Sequence, residues 1–200
     1  MAVAIMAKAP IPALTKTRLI PSIGAHAAAV LQERLTERAV GTATAADIGP
    51  VTLWCTPDLT HASFQDLAMR FPLVLRQQPD VDLGARMLGA IAAAQSPVLV
   101  IGTDCPALTA EILRTAANAL ADADVVLIPA EDGGYVLIGA REAHPQLFAG
   151  IAWGSASVLT ETRARIAALG LTAIELDSLW DVDTEADLAR FERLFPEMAL

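Results

Sequence analysis

Val98-Leu-Val-Ile-Gly102-Thr-Asp104-Cys-Pro106 decides how this chain is read. Four consecutive aliphatic residues leave no polar face, as expected for a central strand buried on both sides. The carboxylate that follows, Asp104, then falls at the carboxyl edge of that strand. Open α/β sheets bind their ligands beyond the carboxyl ends of the strands. The placement makes Asp104 a candidate metal ligand and catalytic residue.

Outward from this strand, short β-rich runs alternate with helical stretches. Strands are predicted at Ala2–Ala7, Val51–Cys55, Leu73–Arg76, Val98–Gly102, Asp124–Pro129, Gly134–Ala140 and Leu171–Leu176. Helices are predicted at His26–Ala46, Thr60–Arg70, Leu83–Ala94, Thr109–Ala121, Ser155–Leu169 and Thr184–Leu194. This alternation predicts a three-layer, Rossmann-like α/β sandwich with a mixed, mostly parallel sheet. Too little chain separates Pro129 from Gly134 for a crossover helix, so the strand at Gly134–Ala140 is expected to run antiparallel or to pair elsewhere. No linker or repeat divides the chain, and residues 1–200 are read as one domain.

The totals narrow the partners. Formal charge is −9, from 14 basic and 23 acidic residues, which argues against a nucleic-acid polymer. Apolar residues make up 54% of the chain, yet no run approaches the roughly 20 residues of a membrane span. The start lacks the basic region of a signal peptide, so a cytoplasmic location without membrane attachment is expected. Cys55 and Cys105 both close apolar runs and read as buried or half-buried thiols; His26, His61 and His144 lack metal-ligand spacing.

Against this acidic background, both lysines, Lys8 and Lys16, lie in the first sixteen positions, and Lys16 and Arg18 share the run Thr15-Lys16-Thr17-Arg18 after the first strand. A cationic loop at a strand exit predicts an anion site, with Lys8, Lys16 and Arg18 toward a phosphate-bearing nucleotide. Of three Asp-x-Asp triplets, Asp122 and Asp124 precede a strand and lie at the wrong end of the sheet. Asp181 and Asp183 follow the last strand and join Asp104 as candidate ligands of Mg²⁺ or Mn²⁺, hard cations that favour carboxylate, water and phosphate oxygens. Thr184 to Asp187 reads as a capping box, which accounts for that helix start without Asp181 or Asp183. Asp82 reads as a helix N-cap and, with Gly84 and Arg86, as a candidate nucleotide contact. Glu131 and Asp132 are alternative general bases, while Gly133, Gly134, Tyr135 and Trp153 are candidates for an acceptor pocket.

Four of these stretches, Ala7-Lys8-Ala-Pro10-x-Pro12-x-x-x-Lys16-Thr-Arg-Leu19, Gly102-Thr-Asp-Cys-Pro106, Glu131-Asp-Gly-Gly-Tyr135 and Asp181-Val-Asp-Thr184, occur in an order that resembles a bacterial family. It is the glycosyltransferase-A-like (GT-A) group labelled "transferase 1, rSAM/selenodomain-associated", also labelled as arsenosugar-biosynthesis glycosyltransferases. That group is similar in turn to 2-phospholactate/phosphoenolpyruvate and molybdenum-cofactor guanylyltransferases. The resemblance implies a nucleotide-diphospho-sugar transferase (GT-A) fold, with metal on the positions of Asp104, Asp181 and Asp183 and the N-terminal loop around the nucleotide. It departs from the pattern at Ala13 and Ala85, where many members carry Gly and Glu. The loop also lacks the Gly-Gly-x-x-x-Arg of sugar-activating nucleotidyltransferases. The expected activity is metal-dependent transfer from a nucleotide or nucleotide-sugar donor to a small-molecule acceptor, foremost of a sugar. Nucleotidyl transfer with pyrophosphate release and a non-catalytic nucleotide-binding module are the alternatives. Base, sugar, acceptor and oligomeric state stay open.

Overall fold

The computed structural model describes residues 1–95 and 97–200. Seven strands form one sheet: β1 (Ala2–Lys8), β2 (Val51–Thr56), β3 (Leu73–Gln77), β4 (Val98–Ile101), β5 (Val125–Pro129), β6 (Tyr135–Ala140) and β7 (Ala173–Glu175). Their order is β3-β2-β1-β4-β6-β5-β7. β4 is central and wholly buried, as its composition requires. β6 is the one antiparallel strand, inserted between β4 and β5 with Ile101 opposite Leu137 and Ile128 opposite Leu137 on its two sides. The five-residue connection from Pro129 to Tyr135 forces this reversal. Every other pairing is parallel.

Side chains alternate across the strands and feed two cores. Val3, Ile5 and Leu53 face α1 (Ile20–Ala46), α2 (Ala62–Arg70) and α4 (Ala110–Ala119). Ala4, Val100 and Ile138 face α3 (Leu83–Ala94), the short α5 (Pro145–Phe148) and α6 (Val158–Ala168). The last helix, α7 (Glu185–Leu194), and a 3-10 turn at Pro196–Met198 close the chain. α1 starts six residues earlier than the sequence suggests, but Gly24 at φ 80° and ψ 160° interrupts it, so the regular helix begins close to the expected His26. No helix is long and apolar enough to cross a membrane among the described residues.

A third cluster matters most for the site. Leu19, at the end of the N-terminal loop, and Val182, after β7, are fully buried with Leu31 and Leu35 of α1 and Phe191 of α7. Each such burial contributes roughly 1.5–3 kcal/mol. It pins two segments more than 160 residues apart, a separation also spanned by Lys16 and Val182 themselves. The N-terminal loop is held in an unusual backbone: Ala13 has φ 65° and Lys16 φ 47°. Left-handed backbone costs an ordinary residue roughly 1–2 kcal/mol, so Gly is the better residue at an exposed position such as Ala13. Ala13→Gly is expected to stabilise the fold by ~0.5–1 kcal/mol after glycine's entropic cost, raising Tm by about 1–4 °C. A thermal melt that moves down would show that the loop does not hold this conformation.

Candidate active site

Beyond the carboxyl ends of β1 and β4 lies a cleft of about 510 Å³. Lys8, Lys16, Arg18, Asp104, Asp132 and Asp183 all line it. At its floor, the Lys16 ammonium sits 2.7 Å from Asp104 Oδ1 and 3.3 Å from Asp183 Oδ1, and donates to the Val182 carbonyl at 2.6 Å. Arg18 Nη1 reaches Asp183 Oδ2 at 3.2 Å. The lysine side chain is only 3% exposed, against 42% for Asp104 and 37% for Asp183. Burial alone would push the lysine pKa down; the two carboxylates outweigh it and the net shift is upward. Lys16 is therefore a fixed cation at the bottom of a water-accessible cleft.

The backbone explains how these groups meet. Val182 N–H donates to the Asp104 carbonyl at 2.9 Å, which ties the late acidic segment to the exit of β4. Ala130 bridges to Leu179 just before it. The expected capping box is present: Thr184 Oγ1 accepts from Asp187 N–H, and the Asp187 carboxylate accepts from Thr184 N–H. Because that box holds the start of α7, the Asp183 carboxylate is left to Lys16 and Arg18.

A buried polar chain supports the floor from behind. Thr15 Oγ1 donates to Gln32 Oε1 at 3.1 Å, Gln32 Nε2 donates to Thr103 Oγ1 at 2.9 Å, and Thr103 Oγ1 lies 3.4 Å from Asp104 Oδ1. Thr15, Gln32 and Thr103 are all buried. Reasoning from sequence overlooked these three. The one signal was an amide at position 32 on a helix face otherwise carrying Leu31 and Leu35, a buried polar group that must find partners.

Asp181 stands beside the cleft without lining it. Burial first, then the neighbouring charges of Asp132, Asp183 and Asp104, push its carboxyl up to about 6. Four carboxylates thus share the region with Lys8, Lys16 and Arg18. Among the described residues, no group of three or more His, Cys, Asp or Glu side chains is arranged to hold a metal ion unaided. The donor set still suits Mg²⁺, which usually keeps waters and is completed by one or two carboxylates and substrate phosphates. A polyphosphate would be repelled by this excess of carboxylates unless a cation accompanied it.

Other expected residues fall outside the cleft. Asp82 is the α3 N-cap, its Oδ1 accepting from Ala85 N–H at 2.8 Å, and this engages it in helix termination. Arg86 turns back on its own loop, donating from Nε to the Val81 carbonyl at 2.7 Å and facing Gln78 Oε1 at 3.4 Å. Gly84 does not face a ligand: a Cβ there would lie 2.4 Å from Trp153 Cζ2, so the missing side chain makes room for the indole. Gly133, at φ 93°, is likewise closed off, because a Cβ would lie 2.4 Å from the Ala156 carbonyl oxygen. Glu131 is paired with Arg190 at 2.8 Å, which leaves Asp132 as the acidic residue of that pair in the cleft wall. Asp132 Oδ1 accepts from Gly134 N–H at 2.9 Å. Gly134, Tyr135 and Trp153 do come together, lining an adjoining compartment of about 200 Å³. Gly84→Ala is expected to push the indole aside at a cost of about 1–3 kcal/mol; unchanged Tm and tryptophan emission would mean that Trp153 packs elsewhere.

Burial pushes both thiols, Cys55 and Cys105, up to about 12. Neither is a thiolate nucleophile near neutral pH. A larger groove of about 690 Å³ lies between α1, α4 and the C-terminus, but its arginines are committed. Arg34 donates to the Met198 carbonyl at 3.0 Å and Arg38 to the Pro106 carbonyl at 2.7 Å.

A mostly parallel seven-stranded sheet with one reversed strand, and a cation–carboxylate centre beyond β1 and β4, define the nucleotide-diphospho-sugar transferase (GT-A-like) class of fold. Within it, the chain belongs to the family described as "Uncharacterized protein conserved in bacteria (DUF2064)", whose model matches residues 39–155. A solved structure from Desulfovibrio desulfuricans G20, provisionally described as a nucleotide-diphospho-sugar transferase, is similar at TM-score 0.84 and 26% identity, covering 100% of this chain and 98% of that one. A nucleotidyl transferase from Methanothermobacter thermautotrophicus is similar at TM-score 0.65 and 16% identity, covering 98% of each chain. Molybdopterin-guanine dinucleotide biosynthesis protein A from Archaeoglobus fulgidus gives TM-score 0.58 and 16% identity, covering 98% of this chain and 100% of that one. No curated protein matches the chain.

Proposed function

We propose that the protein is a Mg²⁺- or Mn²⁺-assisted transferase that takes a nucleotide-activated donor and passes its sugar to a small-molecule acceptor. The observation that carries this reading is Lys16, a buried ammonium shared by Asp104 and Asp183 at the floor of a cleft beyond the sheet's carboxyl edge. The solved structures of the same fold named above are described as nucleotide-sugar and nucleotidyl transferases, which supports a nucleotide donor.

In this reading Lys16, Arg18 and Lys8 hold the donor's phosphates. Asp104 and Asp183, with Asp181 beside them, would hold the metal, which when bound would supply positive charge to the phosphates. Asp132 accepts the proton of the acceptor hydroxyl as its oxygen bonds to the sugar carbon. The bond from that carbon to the phosphate oxygen breaks, and a nucleoside diphosphate leaves. Charge grows on the leaving phosphate, and fixed cations already in place stabilise it without reorganising. The sugar as transferred group is what the motif resemblance implies.

One feature of the site favours a second reading. The acidic groups are split between the β4 exit and the segment after β7, and do not form one Asp-x-Asp pair. That arrangement suits nucleotidyl transfer, in which an acceptor oxygen attacks the α-phosphorus of a triphosphate and pyrophosphate leaves. Incubation with panels of sugar nucleotides and nucleoside triphosphates separates the two. Nucleoside diphosphate released from a sugar nucleotide is the expected product. Pyrophosphate from a triphosphate alone would replace the first reading with the second, and no turnover of either would remove both.

A further inference from the structure

The compartment beside the cleft is chemically unlike it. Its volume is about 200 Å³, and Met6, Met87, Val100, Val136, Trp153 and Val158 give it hydrocarbon walls. It joins the cleft along a shared edge: Met6, Leu83, Gly102, Asp132 and Gly154 line both. Two polar side chains at its wall, Ser155 and Asp132, are already engaged. Ser155 Oγ donates to the Ala152 carbonyl at 2.7 Å, and Asp132 Oδ1 accepts from Gly134 N–H. The Tyr135 hydroxyl is buried, with the Thr162 side chain as a polar neighbour.

A nucleobase or a sugar needs hydrogen bonds along its edge, and burying it against such walls would leave polar groups unsatisfied. An apolar ring needs none. A dry cavity of about 150 Å³ suffices for benzene, so this one admits a single ring. A ring seated here projects its substituents toward Asp132, at the border with the phosphate-binding floor.

We propose that this compartment receives an apolar ring of the acceptor. The acceptor class is then a cyclic small molecule, aromatic or aliphatic, whose nucleophilic oxygen lies one or two bonds from the ring. That the ring belongs to an acceptor rests on the transferase reading; that the compartment takes a ring does not.

The test uses the full chain labelled with ¹³C at its methionine methyls. Two of the five methionines, Met6 and Met87, line the compartment. Benzyl alcohol should shift these two methyl signals saturably and leave Met1, Met69 and Met198 in place. Val158→Phe fills the compartment and should weaken benzyl alcohol at least tenfold, while UDP and GDP affinity stays within twofold. If Val158→Phe does not fold, a size series in the unaltered chain decides, since 9-anthracenemethanol is too large to shift the same signals. Unmoved Met6 and Met87, equal binding by Val158→Phe, or equal binding of the three-ring alcohol would overturn the proposal. So would uridine or guanosine shifting Met87, which lines the compartment and not the cleft, in competition with benzyl alcohol; that would make the compartment a base pocket. Loss of the transferase reading shows up separately, as absent nucleotide binding and turnover alongside intact benzyl alcohol shifts.

Discussion

Lys16→Met should weaken nucleoside diphosphate binding by about 10- to 100-fold, the worth of one charged hydrogen bond of roughly 1.5–3 kcal/mol, and leave nucleoside binding unchanged. Its effect on turnover should be larger, about 10²–10³-fold, because the ammonium acts on charge that grows during the reaction. The fold should tolerate the change. Met fills the buried stem space, Asp183 keeps Arg18, and the two carboxylates are 42% and 37% exposed, so water replaces much of what the lysine supplied. Within about 1 kcal/mol of the parent is expected. Equal loss of nucleoside and diphosphate binding would mean that the lysine only shapes the loop, consistent with its φ of 47°. Isothermal calorimetry with UDP, GDP and their nucleosides reads the difference.

Asp104→Asn should remove turnover by at least about 10³-fold and abolish the metal dependence of nucleotide binding. Unlike the lysine change, it should also cost stability. The buried Lys16 ammonium loses its nearest carboxylate, at 2.7 Å, and keeps only Asp183 and the Val182 carbonyl. Removing one partner of a buried charge is expensive, but Asp104 itself is partly solvated, so about 1–2 kcal/mol is expected. That corresponds to a Tm lower by roughly 2–8 °C. Turnover within tenfold of the parent would take Asp104 out of the reaction, whatever the melting temperature does.

The contrast between these two substitutions reflects what sequence can carry. Asp104 was legible because an all-aliphatic strand precedes it, and the carboxyl-edge rule then places it without coordinates. Lys16 and Asp183 were legible by the same rule applied to the first and last strands. The partnership of Lys16 with Asp104 and Asp183 was not, since no pattern in one dimension says which charges share a contact. Gly84 was misread for a related reason. Its role depends on Trp153, sixty-nine positions later, and a glycine at a helix start looks the same whether it faces a ligand or an indole. Gln32 carried only the weak local mark of an amide beside Leu31 and Leu35, and the three-dimensional chain from Thr15 to Thr103 is what gives it a role. Glu131 and Asp132 are adjacent in sequence, but the turn sends one to Arg190 and the other into the cleft.

The most direct test of the Lys16–Asp104–Asp183 floor as a metal-assisted phosphate site is a Mn²⁺ titration followed by electron paramagnetic resonance. It is run with and without UDP or GDP, on the parent chain and on Asp104→Asn. Loss of the free Mn²⁺ signal only when a diphosphate is present, and only in the parent, is the expected result. A diphosphate that binds Asp104→Asn as tightly as the parent, with Mn²⁺ left free in both, would contradict it.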